Sequence, residues 1–141
     1  MFLLDTNVIS EQRKLADGKA DPNVARWTQG TPAEACFISV VTVMELEIGI
    51  LRVERRDSAQ GRRIRSWLDE IILPTFDKRI LPIDTSVAKQ SAALHVPDPR
   101  PWNDAMIAAT ALVHGMAVVT RNEADFAGSG AALINPWQTS L

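Results

Sequence analysis

The chain contains only one cysteine and two histidines, and it has no long apolar run. No stretch reaches the ~18 uncharged apolar residues that a membrane-spanning helix needs, and the chain does not open with the basic and then apolar segments of a secretory signal. The lone Cys36 can form no internal disulfide, which favours a reducing compartment. We therefore expect a soluble, cytoplasmic protein with no membrane partner.

Features that would favour zinc or a broad polyanion-binding surface are also scarce. His95 and His114 lie near predicted helix ends, and Cys36 lies in an apolar stretch typical of core packing, so the ligands that zinc prefers are few. The net charge is −2 and the pI is near 5.6, so no broad cationic field attracts nucleic acid. Any nucleic-acid contact must be local or must depend on a bound metal ion.

Short apolar runs alternate along the chain with stretches of helical periodicity. A hydrophobic content of 46% over 141 residues is enough for one compact domain at 1–141. We predict strands at 1–4, 35–40, 80–83, 116–120 and 133–135, and helices at 6–15, 22–29, 41–56, 58–73, 85–95 and 103–114. Asn103 is predicted to cap the last helix and Pro74 to end the fourth. Pro82 predicts that the third strand lies at an edge of the sheet.

Strands separated by helices predict an α/β fold with three layers, in which a mostly parallel sheet of four to five strands is covered by helices on both faces. The helices at 41–56 and 58–73 are expected to form a helical hairpin. Ligands of open parallel sheets bind beyond the carboxyl ends of the strands, where strand order reverses. Asp5 follows the first predicted strand, and the segment from Thr120 to Asp125 follows the fourth. If those strands are neighbours, their acidic side chains face each other.

Four acidic residues are therefore candidates for one site: Asp5, Glu45, Asp104 and Asp125. Each also has an ordinary structural explanation. Asp5 can cap a helix, Asp104 can interact with a helix dipole, Glu45 can form a capping box with Thr42, and Asp125 can accept hydrogen bonds from loop backbone. Four separate caps need not converge on one edge of a sheet. Together the four acids indicate a metal site built from carboxylates.

The helix at 41–56 leaves two questions open. The apolar residues predicted to face the core are Val41, Met44, Ile48 and Leu51. Glu45 flanks one margin of this stripe and Glu47 flanks the other, so periodicity does not choose between them. Leu46 and Ile50 point away from the stripe, where they either contact a partner or pack inside the domain.

Four segments carry motifs in a recognisable order. They are Leu4 to Ser10 (LDTNVIS), Ile38 to Gly49 (ISVVTVMELEIG), Asn103 to Ala111 (NDAMIAATA) and Val119 to Phe126 (VTRNEADF). With these segments the sequence resembles the PIN-domain family, and within it the VapC-type toxin ribonucleases of bacterial toxin–antitoxin pairs. The resemblance implies a single PIN domain, a homodimer, and a cognate antitoxin whose C-terminal segment occupies the acidic groove.

The resemblance also implies which acids hold the metal. It assigns Asp5, Glu45 and Asp104 as ligands, and so favours Glu45 over Glu47. Family members often have an acid where this chain has Asn122, so either Asn122 or Asp125 supports the site here. The implied activity is metal-dependent endoribonuclease cleavage of RNA.

The chemistry of carboxylates agrees with that activity. Hard oxygen ligands suit Mg²⁺ or Mn²⁺, and a bound ion can activate water and offset charge on a phosphate. Thr6, Asn7 and Thr120 are expected to orient the carboxylates. Arg121, beside the predicted site, is a candidate for contact with RNA. Six further arginines around the helical hairpin either grip the substrate or form a solvated surface: Arg52, Arg55, Arg56, Arg62, Arg63 and Arg65.

Two other classes of protein place acids at strand ends. A receiver-type signalling domain binds Mg²⁺ there, but it needs a lysine at the end of a late strand, where this chain has Thr120 followed by Arg121. A catalytically weak binding module with the PIN fold is the other alternative, and Asn122 in place of an acid keeps it open. The sequence does not identify the RNA target, the number of ions or the antitoxin.

Overall fold

Five short parallel strands form the centre of the molecule, in the order β3-β2-β1-β4-β5. The computed structural model describes residues 1–138. The strands are β1 (Phe2–Leu4), β2 (Cys36–Ser39), β3 (Ile80–Leu81), β4 (Ala117–Val119) and β5 (Leu133–Ile134). The helices are α1 (Thr6–Gln12), α2 (Pro22–Gln29), α3 (Val40–Arg56), α4 (Ser58–Trp67), α5 (Leu73–Thr75), α6 (Thr85–Leu94) and α7 (Trp102–His114).

Helices cover both faces of the sheet, which confirms the predicted three-layer α/β/α architecture. Side chains alternate between the faces of β1, so that Leu4 packs in one apolar cluster and Leu3 in another. The first cluster joins the sheet to α1, α3 and the hairpin helices, and the second joins it to α7. As predicted, β3 lies at an edge of the sheet, and its pairing ends before Pro82.

Several helix boundaries follow the predicted capping signals. Asp21 accepts hydrogen bonds from the backbone of Asn23 and Val24 at the start of α2. Gly115 ends α7 in the left-handed conformation, with φ 66°. The first helix is shorter than predicted, because α1 ends at Gln12 rather than at residue 15.

The capping prediction for α7 is wrong. Pro101 occupies the N-cap position without a side-chain hydrogen bond, and Asn103 lies inside the first turn. The side-chain amide of Asn103 instead donates to Glu45 Oε2 at 3.1 Å. The residue type that suggested a cap therefore serves a contact between two helices.

The predicted core face of α3 is wrong for three of its four residues, since Met44, Ile48 and Leu51 are 50%, 39% and 51% exposed, and only Val41 is buried as predicted. Leu46 and Ile50 are 7% and 2% exposed, so of the two possibilities left open for them, packing inside the domain is the one that the structure shows. Both sets of residues recur at helical spacing, and the sequence pattern alone does not show which side the sheet and α4 cover. The capping box is absent as well, because Ser39 caps α3 through the backbone of Val41.

Pro74 does not end the helix of the hairpin where expected. A π-helical segment, Leu68–Ile72, follows α4 and leads directly into α5. The N–H of Leu73 donates to the carbonyl of Leu68, five residues earlier. Because proline clashes with the carbonyl four residues before it in an α-helix, the wider π turn lets the chain stay helical through Pro74. Ile71, within the π-helical segment, is 56% exposed.

No helix within residues 1–138 is both long enough and apolar enough to cross a bilayer.

Candidate metal and active site

The carboxyl ends of β1 and β4 meet at one edge of the sheet, as expected if the strand order reverses between them. These two strands are parallel neighbours, with Leu4 in register with Val119. Asp5 and Thr120 are the residues that follow them, and the Thr120 hydroxyl donates to Asp5 Oδ2 at 2.8 Å. The fold therefore joins residues 115 positions apart in sequence.

Asp5 combines a structural role with a place at the site. Its Oδ1 accepts from the backbone N–H of Thr6 at 2.8 Å, which caps α1. Its Oδ2 accepts from Asn7 Nδ2 at 3.2 Å as well as from Thr120. Burial raises the pKa of Asp5, the hydrogen bonds from Thr120 and Thr6 lower it, and the charges of Glu45 and Asp125 raise it further, with a net rise. The side chain is thus fixed in position while its charge is disfavoured.

Glu45 is held between two other elements of the site. Its Oε1 accepts from the Thr6 hydroxyl at 2.8 Å, and its Oε2 accepts from Asn103. These donors come from the start of α1 and the start of α7, so Glu45 links both to α3. The Thr6 hydroxyl also lies 3.4 Å from the Thr42 hydroxyl.

Glu47 has a different environment from Glu45. It receives Arg65 Nη1 at 2.6 Å, on the side of α3 that faces α4. Arg65 is also paired with Glu54 at 3.0 Å. The structure therefore brings Glu45, and not Glu47, next to Asp5.

Asp104 lies in the first turn of α7 and is half-buried. Burial, and to a smaller extent the neighbouring charges of Asp125, Asp5 and Glu45, together raise its pKa to about 6. None of the ion pairs within residues 1–138 involves any of these four acids. The acids therefore form one electrostatic cluster whose negative charge no basic side chain of the described region neutralises by direct contact.

Asp125 and Asn122 differ in how they relate to this cluster. Asp125 lies on a short 3₁₀ helix, Glu123–Phe126, and its charge raises the pKa of both Asp5 and Asp104. Both residues are exposed, and the backbone N–H of Asn122 donates to the Thr120 hydroxyl. Asp125 is thus the acid that the fold brings to the cluster in this segment.

The side chain of Arg121 contacts an aromatic ring and not the acids of the cluster. Its guanidinium lies 5.4 Å from the centroid of the Trp137 ring, a cation–π arrangement. Its backbone N–H donates to Asn7 Oδ1 at 3.2 Å, which helps to orient Asn7 toward Asp5. Arg121 therefore supports the site through its backbone, and its side chain stacks on an aromatic ring.

The remaining candidate ligands lie elsewhere. His95 Nδ1 accepts from the backbone N–H of Arg100, and His114 ends α7 at the opposite end from Asp104. Cys36 is buried in the core, and burial raises the pKa of its thiol. Oxygen atoms therefore dominate the cluster, as hard divalent cations prefer.

The cluster is not a closed cage of ligands. Within residues 1–138, no group of three or more aspartate, glutamate, histidine or cysteine side chains has an arrangement that could hold a metal ion as it stands. Asp5 and Glu45 instead use oxygen atoms to accept hydrogen bonds from Thr6, Thr120 and Asn103. The donor types and the uncompensated charge suit a divalent cation, but three of these acids do not surround one ion as they stand.

Sequence reasoning missed Asn103 as a partner of Glu45. Its position directly before Asp104 predicts a helix cap, and no local signal distinguishes a cap from a residue that reaches another helix. The contact depends on how α3 and α7 pack, which is a property of the whole fold.

Comparisons with known proteins agree with this architecture. The PIN domain family matches residues 2–128. The chain is 36% identical to the plasmid stability protein StbB of Pseudomonas syringae pv. tomato, over 98% of this chain and 99% of that protein. It is 34% identical to the VapC ribonuclease Y4jK of Sinorhizobium fredii, over 98% and 99% of the two chains.

One solved structure is similar along almost the whole chain. The crystal structure of FitAcB from Neisseria gonorrhoeae contains a chain with 33% identity and a TM-score of 0.88, covering 99% of this chain and 100% of that one. The chain belongs to the PIN-domain family.

Proposed function

We propose that this chain is a metal-dependent endoribonuclease, the toxin of a toxin–antitoxin pair, which hydrolyses RNA phosphodiester bonds with Mg²⁺ or Mn²⁺. The observation that carries the proposal is the cluster of Asp5, Glu45, Asp104 and Asp125 at the carboxyl edge of the sheet, without a basic partner in the described region. Similarity to a VapC ribonuclease supplies the class of reaction.

Asp5, Asp104 and Glu45 would hold the ion, with Asp125 in support. A divalent cation bound there would supply an activated water and would offset the charge on the phosphate during hydrolysis. Burial is the main cause of the raised pKa of Asp5 and Asp104, and the positive charge of the ion would offset the mutual repulsion that adds to it. Because the acids do not surround one ion as they stand, binding is expected to involve side-chain rearrangement.

The neighbouring polar residues would fix the orientation of the carboxylates. Thr120 and Asn7 hold Asp5 Oδ2, while Thr6 and Asn103 hold the two oxygens of Glu45. Donors that orient a carboxylate in advance reduce the freedom that it loses when it binds an ion. Glu45 would hold the attacking water in addition to contacting the ion, because Thr6 and Asn103 each donate to one of its two oxygens.

The proposed partners follow from chemistry at two surfaces. RNA would approach the acidic edge once its charge is neutralised, and the C-terminal segment of an antitoxin would occupy the same groove. The exposed apolar residues of α3 are suited to a protein partner such as a second copy of the chain: Val40, Met44, Ile48 and Leu51. A soluble, cytoplasmic, single-domain protein is consistent with these roles and is part of the proposal.

A catalytically weak binding module with the same fold is the second candidate. The lack of a ready-made ligand cage within residues 1–138 favours it. It predicts RNA or protein binding without cleavage at any metal concentration.

The test compares two aspartates that both cap helices. Purified protein is incubated with structured RNAs in EDTA, Mg²⁺ or Mn²⁺. Asp5→Asn keeps a cap on α1 but should abolish Mn²⁺-dependent cleavage. Asp21→Asn makes the same change at the cap of α2, away from the cluster, and should retain full activity. Intact RNA with the wild-type protein, together with tight RNA or protein binding, would favour the binding module.

A further inference from the structure

One face of α3 leads from the acidic cluster to exposed arginines. Residues 7 and 11 positions apart on an α-helix differ by only about 20° in direction, because each residue turns the helix by about 100°. Arg52 and Arg56 therefore lie on the same face as Glu45, two and three turns further along α3. The rise of the helix places them about 10 Å and about 16 Å from Glu45 along its axis.

Gly49 lies on this face, between Glu45 and Arg52. It is exposed, and a Cβ atom added to it would meet no other atom within 4 Å. It does not adopt a left-handed conformation. Because glycine in a helix interior is less stable than alanine, neither packing nor backbone geometry explains its presence. Its lack of a side chain leaves room for another molecule to approach the helix backbone.

The arginines of the hairpin are not equivalent. Arg65 is paired with Glu47 and Glu54 on the face of α3 that meets α4. Arg52 and Arg56 are exposed, and neither takes part in an ion pair within residues 1–138. Of the six arginines, Arg52 and Arg56 are thus the two that lie on the same face of α3 as Glu45 and form no ion pair within residues 1–138.

The charge around these arginines differs from that of the rest of the chain. Residues 52–63 contain five arginines and two acids, in a chain with a net charge of −2. This local basic segment can attract a polyanion, although the protein as a whole carries a net negative charge and does not. It also lies beyond the acids, where their repulsion is weaker.

We propose that Gly49, Arg52 and Arg56 form a track along α3 that binds the backbone of single-stranded RNA on one side of the cleavage site. The inference rests on the proposed ribonuclease function and names the path of its substrate. RNA phosphates contact Arg52 and Arg56, and Gly49 lets the strand pass close to the helix. The track binds any sequence, since it contacts the backbone and not the bases.

The first test measures RNA binding. The probe is a fluorescein-labelled, unstructured RNA of about twelve nucleotides, a length within the range that single-strand binding sites cover. Fluorescence anisotropy is recorded in the Asp104→Asn background, where cleavage is expected to be lost. Replacing both Arg52 and Arg56 by Gln should weaken binding between about 10-fold and 30-fold near 0.1 M salt, and should reduce the slope of log K against log salt by about 1.4.

Two further variants separate a track from general charge. Arg63→Gln removes one positive charge from α4, where Arg63 is exposed and, within residues 1–138, donates a hydrogen bond only to Gln60. It should change affinity by less than about twofold, as expected for a charge that contacts no phosphate. Gly49→Ala should raise the melting temperature, because alanine favours the helix, and should weaken RNA binding at the same time.

The second test uses the cleaving protein with Mn²⁺. Changing Arg52 and Arg56 to Gln should raise KM and leave kcat nearly unchanged, since the track contributes binding away from the reacting atoms. An equal effect of Arg63→Gln would show diffuse electrostatic attraction and would overturn the track. Unchanged RNA binding with weakened binding of polyglutamate would assign the arginines to an acidic protein partner instead.

The two proposals fail in different ways. If the wild type cleaves RNA while the double variant binds and cleaves normally, the ribonuclease function stands and the track is wrong. If the protein binds RNA through Arg52 and Arg56 without cleaving it, the track stands and the catalytic proposal is wrong. If the wild type neither binds nor cleaves RNA, both are wrong.

Discussion

Replacing Asp104 with Asn should stabilise the metal-free protein at neutral pH. Burial and the charges of Asp125, Asp5 and Glu45 raise the pKa of Asp104 from 3.8 to about 6. The folded protein therefore holds this proton more tightly than the unfolded chain does, and ionisation opposes folding. Asn resembles the protonated carboxyl in shape and carries no charge, so it removes this cost.

The sign of the pH dependence follows from the two pKa values. Below pH 3.8 the carboxyl is protonated in both states, so the wild type and the variant should be similarly stable with respect to this residue. As the pH rises toward 6, the unfolded chain loses the proton first, and the wild type loses stability relative to the variant. Above that range the difference is constant.

The size of the effect can be worked from the same values. A difference of about two pH units corresponds to roughly 3 kcal/mol in the free energy of unfolding. Asp104 is only half-buried, and water screens its charge, so about 1 to 2 kcal/mol is a better expectation. For a chain of this length, that corresponds to a rise of about 3 to 7 °C in Tm.

The assay is thermal unfolding followed by circular dichroism, from acid to neutral pH, in EDTA and in Mn²⁺. In EDTA the Tm of the variant should be higher than that of the wild type at pH 7, and the two Tm values should be equal at low pH. With Mn²⁺ the order should reverse or the gap should close, because metal that binds only the folded state stabilises it by about 2.7 kcal/mol at 100 times Kd. The variant should gain little from the ion.

The opposite sign would refute the reasoning. Acids in the first turn of a helix interact favourably with its dipole, by about 0.3 to 1 kcal/mol. If this contact dominates, Asp104→Asn lowers the Tm at neutral pH and leaves the response to Mn²⁺ unchanged. Asp104 would then be a structural residue of α7, and the site would be misplaced.

Two other substitutions test contacts around the cluster, and a third tests the backbone conformation at the far end of α7. Asn103→Ala frees Glu45 Oε2 and should lower Mn²⁺ affinity or cleavage by about 10-fold to 100-fold, as measured by titration calorimetry and RNA cleavage. Thr6→Val removes the donor to Glu45 Oε1 and should act in the same direction, and unchanged kinetics in both variants would show that the orientation of Glu45 is unimportant. Gly115→Ala places a side chain at φ 66° and should cost about 1 kcal/mol of stability in urea unfolding, without affecting cleavage.

The sequence predicts the layered fold because local and global signals agree. Apolar runs of strand length alternate with helical periodicity, and parallel strands need helices to connect them. The position of the site depends on the pairing of β1 with β4. The sequence alone does not show that these two strands are neighbours, so it predicts the site only if they pair. The observed pairing brings Asp5 to Thr120, so that a prediction about topology determines the position of two side chains.

The choice between Glu45 and Glu47 could not be made from periodicity. The two residues flank opposite margins of the predicted stripe, and the choice depends on which side α4 covers. Arg65 on α4 pairs with Glu47, whereas Thr6 and Asn103 approach Glu45. All three partners are distant in sequence, so only family resemblance could favour Glu45 before the packing was known.

The segment after β4 shows the same limit. Position 122 holds Asn instead of the acid that the family often has, and spacing alone did not decide between Asn122 and Asp125. A short 3₁₀ helix places Asp125 where its charge affects Asp5 and Asp104. Such a helix has too few residues for a periodic pattern to reveal it.

The orientation of α3 can be tested with a matched pair of substitutions. Leu46→Ala removes a side chain that is 7% exposed and packed in the core, so it should lower the free energy of unfolding by about 2 to 5 kcal/mol. Ile48→Ala removes a side chain that is 39% exposed, and the monomer should lose less than about 1 kcal/mol. Urea unfolding at low protein concentration measures both. If Ile48→Ala lowers the free energy of unfolding as much as Leu46→Ala does at low protein concentration, α3 faces the core as the sequence predicted. The exposed face that carries Glu45, Arg52 and Arg56 would then be wrongly placed, and the proposed RNA track would lose its basis. If the cost of Ile48→Ala appears only as the protein concentration rises, the exposed apolar face of α3 binds a second copy.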